Sequence, residues 1–157
     1  MDKVSQIAIV ARDVRGSVKR FWEDLGVGPW SMWDLDRRTM SEMTLYGKPA
    51  DYSFRVAMTT IGEVQIELVQ PLEGRSIFSE FLANRGGGLH HLKYKTPEME
   101  AVVDEFKRNG GRILQSARIG AGHFYYLDTE EELGVILELS SGKALGAKPP
   151  DQVYPPT

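Results

Sequence analysis

An internal repeat restricts what this chain can fold into more than any other feature of it. The segment QIAIVARDVRGSVKRFWEDLG, beginning at Gln6, has a lookalike in HLKYKTPEMEAVVDEFKRNGG, beginning at His91, 85 positions later. Gln6 falls on His91, Val14 on Met99, Val18 on Val103, Phe21 on Phe106 and Gly26 on Gly111. A second pair closes the two copies: VQIELV at 64–69 matches VILELS at 135–140, offset by 71, so Glu67 falls on Glu138. One unit is written twice, the first copy roughly 14 residues longer, and a repeat of this kind governs the architecture before any single element is read.

Each copy reads as strand, helix, three strands. Residues 4–11 alternate, with Ile7 and Ile9 on one face and Gln6, Ala8 and Val10 on the other. Asp13 reads as the N-cap of a helix carrying Val14, Val18, Phe21, Trp22 and Leu25 at helical spacing, with Gly26 as its stop. The span 31–52 holds the extra residues of the first copy and reads as a strand plus a long loop. A hairpin follows at 53–60 and 62–70, in which Gln65, Glu67 and Val69 share one face and Val64, Ile66 and Leu68 the other. In the second copy, a strand at 89–95 leads to a helix with Thr96 as N-cap and Pro97 at its first position. Strands near 112–117, 123–128 and 134–140 complete it. The expectation is an α+β fold in a single domain over 1–150. Its βαβββ modules fall at about 4–72 and 88–140, joined by a short helix at 76–84, and an extended proline-rich tail occupies 141–157.

Composition narrows the function classes. A 157-residue chain that is 41% hydrophobic can bury a real core. Its net charge of −3 offers no electrostatic footprint for nucleic acid or anionic membrane. The absence of cysteine excludes disulfides, thiolate metal sites and cysteine nucleophiles. With neither a signal-peptide layout nor an apolar run of membrane-spanning length, a cytoplasmic protein is expected, without nucleic-acid or membrane partners.

The residues that carry chemistry are the polar exceptions in apolar strands: Gln6, Glu67, His91 and Glu138. Taken singly, each has a plainer reading. A lone strand glutamine is usually half-exposed, a histidine beside His90 can be a hydrogen-bonded core residue, and the glutamates can face solvent. Taken together, they fall at corresponding positions of the repeat on faces opposite the apolar stripes, the pattern of a shared site. Imidazole plus hard oxygen donors suit Mn, Co, Ni, Fe or Zn without choosing among them. Arg55 and Lys93 are candidates to hold an anionic or carbonyl oxygen, and His123 a spare acid or base. Trp30, Trp33, Tyr46, Tyr52, Phe124 and Tyr126 could line a pocket or belong to the core.

The duplication, together with IELVQPLEG followed by SIFSEFL, then GGGLHHLKYKT and GVILELS, resembles the vicinal oxygen chelate (glyoxalase/bleomycin resistance/dioxygenase) superfamily over roughly residues 4–140. Within it, the methylmalonyl-CoA epimerase branch is the most similar. The resemblance implies two modules paired edge to edge into a half-open barrel around one divalent metal ion, held by Gln6, Glu67, His91 and Glu138. Gln6 stands where the epimerases usually have histidine, and a Gln, Glu, His, Glu set is like that of zinc-dependent glyoxalase I. The epimerases' second catalytic acid falls on Arg55, which departs from their pattern.

The function this implies is a metal-dependent racemase or epimerase that inverts a stereocentre alpha to a carbonyl, with Glu67 and Glu138 as the proton-handling pair and Arg55 as an accessory. Its substrate is a small carbonyl compound, either a methylmalonyl-CoA-like thioester or a cyclic ketone such as an isoflavanone. No cluster of basic residues that would meet CoA phosphates is evident in the linear sequence. Alternatives are a glyoxalase I-like isomerase and a non-catalytic ligand-sequestering protein of the same fold. A homodimer is the family expectation.

Overall fold

The computed structural model describes residues 3–141, 145 and 148–156. The first copy runs β1 (Lys3–Val10), α1 (Val14–Leu25), β2 (Trp30–Leu35), a hairpin of β3 (Ser41–Leu45) and β4 (Lys48–Pro49), then β5 (Phe54–Ile61) and β6 (Val64–Pro71). Helix α2 (Ile77–Arg85) leads into the second copy: β7 (Gly88–Lys95), α3 (Met99–Arg108), β8 (Ile113–Ile119), β9 (Gly122–Leu127), the short α4 (Glu130–Leu133) and β10 (Ile136–Ser140). Strand β11 (Gln152–Tyr154) follows.

The residues that the repeat pairs are the ones that pack. Val14 and Val18 are the buried side chains of α1, and their counterparts Met99 and Val103 are those of α3. Each helix seals an apolar layer on its own half of the sheet, α1 over Ala57 and Leu68, α3 over Leu127 and Leu139. Asp13 caps α1 by accepting the Gly16 amide at 3.1 Å, and Gly26 ends it at φ 66°. Helix α3 begins two residues later than its sequence signals indicate. The Thr96 hydroxyl faces the Glu98 amide at 3.4 Å in a turn instead of capping a helix, and the first helical bond runs from Val102 N to Glu98 O.

One open sheet holds the strands in the order β11-β2-β5-β6-β1-β7-β10-β9-β8-β3-β4. Within each copy the first strand lies parallel to the last, β1 to β6 and β7 to β10, and the two copies meet where β1 pairs antiparallel with β7. Gly87 makes the entry to β7 possible, because a side chain on it would come within 2.9 Å of the Val10 carbonyl and its φ is 109°. The sheet curls so that its concave face carries a core of Val10, Trp33, Phe54, Val69, Phe78 and Tyr126.

The span 31–52 differs from the expected strand and long loop. It contains two further strands, and β3 leaves its own half to pair with β8 of the other. In the tail, Gln152–Tyr154 form a strand along β2 of the same chain, with Asp151 accepting the Asp34 amide at 2.9 Å and the Trp33 indole donating to the Lys148 carbonyl at 3.0 Å. No helix among the described residues is long and apolar enough to cross a membrane.

Candidate metal centre

Strand register places the polar exceptions in two adjacent rows on the concave face. Gln65, Gln6, Lys93 and Glu138 are successive cross-strand partners over β6, β1, β7 and β10. Glu67, Ala8 and His91 form the next row. Because side chains alternate with a period of two, both rows point the same way. The result gathers side chains that lie far apart in sequence: His91 Nε2 is 3.0 Å from a Glu138 carboxylate oxygen and 3.3 Å from one of Glu67. A ligand atom from each of the three lies within 4.8 Å of the other two. All three residues are buried, His91 completely.

Charge in so dry a place needs compensation. Lys93 Nζ lies 3.1 Å from the other Glu138 oxygen. Burial alone would raise the Glu138 pKa, but Lys93 and His91 outweigh it and hold the carboxyl below its ordinary range. For His91 burial works downward, while Glu138 and Glu67 together carry its pKa up. Lys93 is likewise raised, its own burial being outweighed by the two glutamates.

The donor set fits a divalent cation. Two carboxylates and one imidazole nitrogen converge with no thiolate, and His91 Nε2 lacks any well-aligned hydrogen-bond partner although it faces both acids. Gln6 is not drawn into this triad directly. Its amide nitrogen donates to Gln65 Oε1 at 2.6 Å, which leaves its own Oε1 buried and without a partner, an oxygen donor in reserve beside the cluster.

Above the centre opens a cleft of about 430 Å³. Glu67 and Glu138 form part of its floor, and Trp33, Phe54, Phe124 and Tyr126 part of its walls. Among the described residues, the only other carboxylate lining it is Glu63, which is exposed at the rim. Trp33, Phe124 and Tyr126 thus serve both as core and as cleft wall, whereas Trp30 and Tyr52 are core alone and Tyr46 is exposed. Tyr126 is fully protonated here, burial and the two glutamates pushing its pKa well up.

Two sequence candidates are placed elsewhere. Arg55 lies on the convex side of β5, because Phe54, Val56 and Met58 take the cleft-facing positions of that strand. Its guanidinium is clamped by both oxygens of Asp34, its cross-strand neighbour, at 2.6 and 2.7 Å, so it is a structural ion pair and not a cleft group. His123 borders the cleft, but its Nδ1 is turned to Glu100 of α3 at 3.4 Å. Sequence reading also missed a basic group. Lys3 and Lys95 are direct partners across β1 and β7, and both line the cleft with Lys93. Only the register, which joins residues nearly a hundred positions apart, reveals them as neighbours.

Residues 5–127 match the Glyoxalase/Bleomycin resistance protein/Dioxygenase superfamily. An ethylmalonyl-CoA/methylmalonyl-CoA epimerase of Cereibacter sphaeroides is 27% identical over 122 residues, 76% of this chain and 81% of that protein. The mitochondrial methylmalonyl-CoA epimerase of Bos taurus is 30% identical over 93 residues, 57% of this chain and 53% of that one. Among solved structures, a hypothetical protein from Bacillus halodurans superimposes with a TM-score of 0.67 at 25% identity, covering 90% of this chain and 94% of that one. A Streptomyces coelicolor methylmalonyl-CoA epimerase variant in complex with 2-nitronate-propionyl-CoA gives 0.63 at 19% identity, covering 90% and 98%. With residues 5–127 matched and the two copies paired antiparallel through β1 and β7, this protein belongs to the glyoxalase/bleomycin resistance protein/dioxygenase superfamily.

Proposed function

We propose that the protein is a metal-dependent epimerase that inverts a stereocentre next to a carbonyl, by removing a proton from one face and returning one to the other. The observation that carries this reading is the placement of Glu67 and Glu138. They come from opposite halves of the repeat and flank a single imidazole nitrogen at the floor of the cleft. Glu67, His91 and Glu138 would hold the ion, with the Gln6 carbonyl oxygen as the further donor. A divalent ion held there supplies Lewis-acid stabilisation for negative charge that develops on a substrate carbonyl.

The chain's own side chains handle the proton. One carboxylate of the Glu67/Glu138 pair takes it as general base, the other, entering as a carboxylic acid, gives its own proton to the opposite face, and exchange with solvent resets the pair. Lys93 holds one oxygen of Glu138 and so orients the other toward the centre. Tyr126, kept protonated, can donate to a developing anionic oxygen. The cleft-facing side of β5 carries Phe54, Val56 and Met58, so that strand provides no acid and the paired glutamates take both roles.

Relatedness to methylmalonyl-CoA epimerases and the lysines Lys3, Lys93 and Lys95 along the cleft favour an anionic acyl-CoA thioester as substrate. The aromatic wall of Trp33, Phe124 and Tyr126 favours a second reading, a small cyclic ketone. Incubation in D2O with each class separates them. Metal-loaded protein is expected to wash deuterium into the α-carbon of the thioester, and Glu138→Gln to slow this by about 10²–10⁴-fold. Inversion by the wild type without any exchange would rule out the mechanism.

A further inference from the structure

The imidazoles of His90 and His91 meet nitrogen to nitrogen, Nδ1 to Nδ1, at 2.9 Å, and both rings are buried. At this distance one nitrogen carries the proton and the other presents a lone pair. The usual partner for the second nitrogen of a metal-binding histidine is a carboxylate or a backbone carbonyl. Here it is a second histidine, and the direction of the bond decides which nitrogen of His91 is free.

His91 turns Nε2 toward Glu138 and Glu67. For that nitrogen to offer its lone pair to a cation, the ring proton has to sit on Nδ1, and His90 has to accept it. The surroundings of His90 suit an acceptor. It is buried and wedged between Phe78 and Phe81, with ring centroids at 5.2 and 4.9 Å, an apolar setting in which a charged ring is costly. His90 Nε2 has no hydrogen-bond partner, so the Nδ1 contact is the bond that orients the ring.

We propose that His90 is a positioning residue that accepts a hydrogen bond from His91 Nδ1–H and thereby fixes the His91 tautomer with its Nε2 lone pair aimed between Glu67 and Glu138. Its purpose rests on the metal reading above, whereas the direction of the hydrogen bond between the two rings is a property of the pair that is read separately from metal affinity. Two measurements on the full chain test it. In 15N-histidine-labelled protein, long-range 15N–1H correlation is expected to place the shared proton on His91 Nδ1 and none on His90 Nδ1. Zinc affinity, read by chelator competition, is expected to fall by roughly 10–100-fold in His90→Phe, which fills the space without an acceptor. His90→Asn, which restores an acceptor oxygen, should recover most of that loss. A shared proton on His90 Nδ1, wild-type zinc affinity in His90→Phe, or equal weakness in both variants would each overturn the proposal. Wild-type protein that binds no zinc yet shows the proton on His91 Nδ1 would sink the metal reading and support the tautomer assignment.

Discussion

Ala8 shows how much one small residue governs at this site. It sits between Glu67 and His91 in their row, fully buried, and its lack of a longer side chain lets the carboxylate and the imidazole approach to 3.3 Å. Its counterpart in the repeat is Lys93, in the corresponding place beside Gln6. The two halves therefore use the same backbone positions with opposite demands: a gap on one side and a compensating charge on the other. Ala8→Leu is expected to force Glu67 and His91 apart, lowering stability by about 1–3 kcal/mol and abolishing tight zinc binding. Denaturant titration and chelator competition check this, and unchanged affinity would contradict it. At this scale the convergence of Glu67, His91 and Glu138 was legible, since they are polar residues that break apolar strands, whereas Gln6 lies beside that triad and bonds to Gln65. Arg55 was misplaced for want of a period-two count: Phe54, Val56 and Met58 share one face, and Arg55 belongs to the other with Ala57. The bond between His90 and His91 could not be read, because adjacent strand residues ordinarily point to opposite faces and nothing in the letters says that their rings meet.

Among the elements, those with local signals matched their sequence reading: α1 with its Asp13 cap, α2 within one residue of the expected 76–84, and the hairpin of β5 and β6. Elements defined by distant partners were opaque. Nothing near Ser41–Leu45 announces that it will bond to β8, and nothing in the tail names β2 as its partner. That tail is held by charge as well as by strand pairing. The Asp34 amide, then Lys148, hold the Asp151 carboxyl below its ordinary value of 3.8. A lowered carboxyl pKa stabilises the docked state above that ordinary value and loses the contribution as pH falls through the folded one. The amides of Gln152–Tyr154 are thus expected to be protected from hydrogen exchange at pH 7 and to lose protection below about pH 4 ahead of β1. Asp151→Ala should show the loss already at pH 7. Equal protection in that variant would refute the anchoring role.

For the molecule as a whole, the exchange of the β3–β4 hairpin ties the two halves more firmly than their shared β1–β7 edge does alone. The first copy lends strands to the second, so neither half has its complete sheet when separated. Unfolding is accordingly expected to be a single transition, with calorimetric and van't Hoff enthalpies equal, and two resolved transitions would argue against it. The same crossover has a bearing on what can enter. From Leu35 to Ser41 the backbone passes between the two flanks of the curved sheet through five residues, tightened by the Asp36 carbonyl accepting from both Thr39 and Met40. Five residues extend at most about 18 Å. The aperture therefore cannot widen past that reach unless a strand pair breaks first, so one short loop sets the broadest guest that the rim admits while it stays intact.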